Sequence, residues 1–99
     1  MKIQIDLPMD RLIDFCKQNQ IQKMALFGSV LREDFSHDSD IDILVEFKPG
    51  AKVGLNFFTM ERELSEIIGR KVDLNTPGFL SKHFRDEVLR EAEVLYDAA

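Results

Sequence analysis

Apolar residues recur along this 99-residue chain in two periods, one of about 3.6 and one of 2. Met9, Leu12, Ile13 and Cys16 stand at i, i+3, i+4 and i+7, which predicts an amphipathic helix opened by Pro8, where a missing N–H costs little. Ile21 to Phe27 reads as a short strand that stops at Gly28-Ser29, with a short helix or turn over Val30 to Phe35. From Asp40 to Phe47 the alternation is clear: Ile41, Ile43, Val45 and Phe47 share one face, and Asp40, Asp42 and Glu46 share the other, interrupted only by Leu44. Lys48 to Gly54, with Pro49, Gly50 and Gly54, reads as a loop. Phe57, Met60, Leu64, Ile67 and Ile68 then predict a second helix ended by Gly69. Lys71 to Asn75 predicts a strand with Val72 and Leu74 on one side and Asp73 on the other. Leu80, Phe84 and Val88 mark a last helix to about Ala92, and Val94 to Tyr96 a final short strand. Neither a linker nor an internal repeat breaks the pattern, so a single domain over residues 1–99 is expected.

The acidic positions change this picture. Carboxylates two apart on a strand point the same way, with Cα atoms roughly 6.6 Å apart at about 3.3 Å per residue. Asp is depleted in strands, and Asp40 and Asp42 repel each other unless a cation joins them. A solvated strand face is the alternative. Gly28-Ser29 lies at the start of a short helix or turn, where free N–H groups favour an anionic oxygen, although a Gly-Ser pair after a strand is also an ordinary turn. Asp73 would complete a carboxylate triad or else turn to solvent at the strand end. Two metals held ~3.5–4 Å apart by such acids suit phosphoryl transfer, and the pattern fits a nucleoside triphosphate.

Charge and cysteine usage narrow the class. With 18 acidic against 13 basic residues the net charge is −5, without the basic excess that drives phosphate-backbone binding, so direct nucleic-acid binding is not expected. The lone Cys16 sits on a helix stripe and reads as a buried thiol. His37 in the polar stretch DFSHDSD, His83, Arg85 and Arg90 read as solvated. MKIQIDLP lacks a signal-peptide apolar region, and no run approaches the ~20 apolar residues of a membrane span, so a cytoplasmic protein without membrane attachment is expected.

The stretch ALFGSVLREDFSHDSDIDILVEF resembles the signature of the minimal nucleotidyltransferases of the DNA polymerase β superfamily: strand, Gly-Ser, ten residues, then Asp-x-Asp leading into an apolar strand. The similarity extends to GRKVDLNT and LREAEVLYD. It implies an α/β (α+β) nucleotidyltransferase fold, a short mixed sheet with helices packed on one face and Mg²⁺ and nucleotide at the other. On matching positions Gly28 and Ser29 would contact the triphosphate of ATP, Asp40 and Asp42 would ligate both of two Mg²⁺ ions, and Asp73 would ligate the catalytic ion and help deprotonate the acceptor. Arg32 matches a common family arginine and would support the phosphates or the loop. Glu33 departs from the glycine many relatives carry there.

Minimal members of this family often act beside a HEPN-domain ribonuclease toxin. The resemblance therefore implies an antitoxin that transfers AMP from ATP to a tyrosine hydroxyl of such a partner, in a hetero-oligomer with it. Two other functions compete: an antitoxin acting by complex formation alone, and a nucleotidyltransferase for small molecules resembling the aminoglycoside enzymes. The latter carry an additional helical domain.

Overall fold

The computed structural model, described over residues 6–32, 35–36 and 38–98, builds the protein around its second strand pattern. In chain order the elements are α1 (Met9–Gln18), β1 (Ile21–Phe27), a 3-10 turn (Gly28–Leu31), β2 (Ile41–Phe47), α2 (Asn56–Ile68), β3 (Val72–Asn75), a second 3-10 turn (Pro77–Phe79), α3 (Lys82–Glu91) and β4 (Glu93–Asp97). The strands form one mixed sheet in the order β3-β2-β1-β4. β1 runs antiparallel to both β2 and β4, and β2 runs parallel to β3. The expected short mixed sheet is thus present.

Alternation decides which side of the sheet is dry. Ile41, Ile43 and Val45 of β2 are fully buried with Met24 and Leu26 of β1, under Leu12, Phe15 and Cys16 of α1 and Phe57, Met60 and Leu64 of α2. A fully buried aliphatic or aromatic side chain contributes about 1.5–3 kcal/mol, so this face carries most of the stability. The α1 stripe differs by one position from the sequence expectation: Phe15 is buried and Ile13 only half so. Burial pushes the Cys16 thiol up to about 12, which leaves it uncharged and unreactive.

The opposite face is not wholly polar. Phe27 and Leu44 form a second, smaller cluster with Leu80 and Val88, which explains the one apolar residue that broke the acidic face of β2. α1 and α2 cover the first face as expected, while α3 closes over part of the second. Leu80 belongs to the turn before α3, which begins at Lys82. The expected helix position Phe84 is 47% exposed rather than buried. Arg85 is not merely solvated either, since its Nη2 donates to the carbonyl of Leu80 at 3.1 Å and ties α3 to the turn before it.

Side chains of α2 fix the edge strand. Ser65 Oγ accepts from the Val72 N–H at 3.0 Å, and Glu61 Oε2 accepts from the Leu74 N–H at 2.8 Å. These two donors would otherwise lie unpaired on the open side of β3. Their capture sets the register in which Asp73 stands beside Asp42.

Candidate active site

Register brings the glycine turn and the acids together. In the β1/β2 ladder Phe27 is opposite Asp42, so the next residue of the chain, Gly28, lies against the Asp42 carboxylate. Gly28 has φ +75°, a conformation that costs other L-residues about 1–2 kcal/mol, and a Cβ on it would collide with Oδ2 of Asp42. Glycine is therefore demanded twice over. Ser29 follows within the 3-10 turn, which the Arg32 N–H closes onto the Ser29 carbonyl at 2.9 Å.

On the other side of Asp42 the parallel register Asp42↔Asp73 sets two carboxyl groups side by side. The Asp42 carboxyl is pushed up from the ordinary value of 3.8 to about 6. Partial burial is the largest cause, followed by the charges of Asp73 and Asp40 and a side-chain hydrogen bond to Asp73, against a smaller opposing pull from the Arg32 guanidinium. The nearby negative charges disfavour ionisation of Asp42 when no cation is near.

A cavity of about 350 Å³ opens in front of this pair, lined by Gly28, Ser29, Arg32, Asp42 and Asp73 together with Phe27, Asn75, Leu80 and Phe84. Five of the six residues singled out from the sequence line one concavity. Asp40 is the exception. It precedes the first residue of β2, is absent from the lining, and has its Oδ2 3.9 Å from Nζ of Lys71 in an exposed ion pair. Among the described residues the three carboxylates are accordingly not gathered into one closed ligand group. The donor chemistry nevertheless fits a hard divalent cation: two oxygen-bearing side chains stand side by side, and a metal ion would relieve their mutual repulsion. Glu33 and His37, at the two ends of the polar connection, lie outside the described residues.

The cavity also draws on residues that sequence reasoning assigned elsewhere or passed over. Phe84 supplies an aromatic wall, Asn75 a polar one at the end of β3, and Leu80 the floor it shares with the smaller cluster. The incomplete burial pattern of the last helix, polar on every side but one, was the available signal for Phe84.

A cavity of about 350 Å³ lined by a glycine turn and the carboxyl pair beside it is compatible with phosphoryl-transfer chemistry. The match of residues 10–99 to the family model "Polymerase beta, Nucleotidyltransferase" is the direct finding, and the chain belongs to that family. Among its relatives, the protein adenylyltransferase MntA of Thermococcus cleftensis is 35% identical over 71 residues, covering 72% of this chain and 71% of the relative. A solved toxin-antitoxin complex with AMP-PNP contains a chain that superposes with a TM-score of 0.74 at 22% identity, over 92% of this chain and 74% of that one. A second solved complex, of a tri-AMPylated HEPN toxin from Shewanella oneidensis with an MNT antitoxin, gives a TM-score of 0.65 at 21% identity, over 90% of this chain and 69% of that one. At those identities the two structures establish the shared fold. No helix among the described residues is long and apolar enough to cross a membrane.

Proposed function

We propose that this chain is a Mg²⁺-dependent protein adenylyltransferase that moves AMP from ATP to a tyrosine hydroxyl of a HEPN-type toxin and so neutralises it in the cytoplasm. The observation that carries the reading is the Asp42–Asp73 carboxyl pair set against the Gly28-Ser29 turn on the lining of one cavity. Membership in the nucleotidyltransferase family, the protein adenylyltransferase MntA among its relatives and the AMPylated toxin bound to an MNT antitoxin all support it. The AMP-PNP complex supports ATP as the donor.

In this reading the Gly28 and Ser29 backbone cradles the triphosphate and Arg32 offsets its charge. Asp42 and Asp73, joined by Asp40 from the segment before β2, would hold two Mg²⁺ ions. Bound there, Mg²⁺ neutralises the triphosphate and makes the acceptor hydroxyl more acidic. Asp73, exposed at the mouth, takes the proton from the tyrosine hydroxyl. The tyrosine oxygen forms its bond to the α-phosphorus as the bond to the bridging oxygen breaks, and pyrophosphate leaves. The domain supplies positioning and electrostatics, and the acceptor arrives on the partner.

Incubating the chain and a co-encoded HEPN protein with ATP and Mg²⁺, then weighing the partner by mass spectrometry, tests this. A gain of one or more AMP groups on tyrosine is expected. An unmodified partner whose ribonuclease activity is still suppressed would replace catalysis with simple complex formation.

A further inference from the structure

The chain entering β2 is held in place from the far side of the sheet edge. α2 ends at Gly69, whose φ of +79° reverses the backbone, and the next residue, Arg70, reaches the connection that follows the Gly28-Ser29 turn. Its Nη2 donates to the Ser36 carbonyl at 2.6 Å and to the Ser39 carbonyl at 3.1 Å. The same guanidinium lies 4.5 Å from the centroid of the Phe35 ring. A planar, permanently charged fork can bond two carbonyls and stack on a ring at once, which an ammonium cannot.

The segment so held is itself a closed turn. The Ser39 N–H donates to the Ser36 carbonyl at 3.2 Å, and the Ser36 N–H donates to Ser39 Oγ at 3.1 Å. Ser39 immediately precedes Asp40. On the other side of Asp40, the Ile41 N–H donates to the Lys71 carbonyl at 2.9 Å. The backbone is therefore anchored directly before and directly after this aspartate, both times by the dipeptide Arg70-Lys71.

We propose that Arg70 is a positioning residue of the transfer site, fixing the backbone that delivers Asp40 beside Asp42. The proposal rests on the reading of Asp40 as a member of that site. Arg70 touches neither nucleotide nor acceptor; it sets the starting point from which the Asp40 side chain turns from Lys71 towards the cavity.

The test compares wild type with Arg70→Ala, Arg70→Lys and Phe35→Leu. Three quantities are read: Mn²⁺ affinity in the presence of AMP-PNP, from the free-ion signal in electron paramagnetic resonance; kcat and KM for transfer; and melting temperature. Arg70→Ala should weaken Mn²⁺ binding by about tenfold, the size typical of removing a group that orients a ligand. It should lower kcat more than it raises KM. Arg70→Lys should recover part of the loss, since an ammonium still reaches one carbonyl. Unchanged Mn²⁺ affinity and kcat in Arg70→Ala would overturn the proposal. Should that variant fail to fold, Phe35→Leu carries the same expectation at smaller size, because it removes the stacking on Arg70 while keeping an apolar side chain against the core, and wild-type values there would overturn it equally. Failure of the underlying transfer reading looks different: wild type itself would then leave the partner unmodified, or Asp42→Asn would transfer as well as wild type.

Discussion

The two faces of β2 are built from neighbouring residues and obey opposite rules. On one, Ile41, Ile43 and Val45 are sealed between sheet and helices, and every atom is placed by packing. On the other, Asp42 is crowded against Asp73 and the Gly28 turn at a cost to the isolated protein. Packing makes the first face stable and leaves it chemically inert. The second is less stable than it could be, because its carboxylates are arranged for a cation and a triphosphate. Site and core share one strand, so the rigidity of one face holds the strain of the other in register.

The contrast can be broken most severely at Ile43. Asp at position 42 is tolerated one residue away, but Ile43→Asp would put an unpaired charge into a site with 0% exposure. The expected loss exceeds about 4 kcal/mol, comparable with the whole stability of a small domain. Circular dichroism of the purified variant should show little cooperative unfolding, whereas a sharp melt near that of wild type would mean that this face is not the core.

Gly28→Ala should cost about 1–3 kcal/mol, or roughly 5–15 °C in melting temperature for a domain of this size. It should also displace the Asp42 carboxylate, so ATP binding measured by calorimetry should fall with the melt.

A smaller effect has the opposite sign. The folded-state value of Asp42, about 6, lies above its ordinary 3.8, so the fold binds the extra proton between them. Without metal, the Asp42 contribution to stability is therefore fully present below pH ~3.8 and is lost as pH rises through about 6. Asp42→Asn removes that penalty. After allowance for solvent screening of a partly exposed side chain, the variant should be about 1–2 kcal/mol more stable than wild type at pH 7.5, and equal to it near pH 4. Thermal melts at the two pH values in a chelator check this.

The smallest effect is at Lys71. Its exposed ion pair with Asp40, 3.9 Å long, should contribute less than about 0.5 kcal/mol, so Lys71→Ala should melt within error of wild type.

Much of the sheet could be read from alternation alone. β1 and α2 stand within a residue of where apolar spacing put them, since a two-residue or 3.6-residue period survives any tertiary detail. Gly28, Asp42 and Asp73 were legible because their chemistry is unusual for their positions: a glycine where a strand ends, acids inside strands. Asp40 was legible as an acid but not as a partner of Lys71, because strand parity predicts facing only within the strand, and β2 begins one residue later. Phe84 and Arg85 were misplaced for a related reason. A half-covered sheet face leaves α3 neither fully amphipathic nor fully solvated, and the covering is decided by contacts with Leu44 and Phe27 that sit 40 or more residues away in the chain. Glu61, Ser65 and Arg70 left no periodic trace, because each acts on the backbone of another element.

One preparation decides whether the polar face of β2 is the transfer site. Wild type and Asp42→Asn are incubated with ATP labelled at the α-phosphate, Mg²⁺ and the HEPN partner, while melting curves of the same two proteins are recorded in a chelator. Label should appear on the partner with wild type and fall by at least about a thousandfold with Asp42→Asn, whose melting temperature without metal is equal to or above that of wild type. Equal labelling by a well-folded Asp42→Asn would contradict the account.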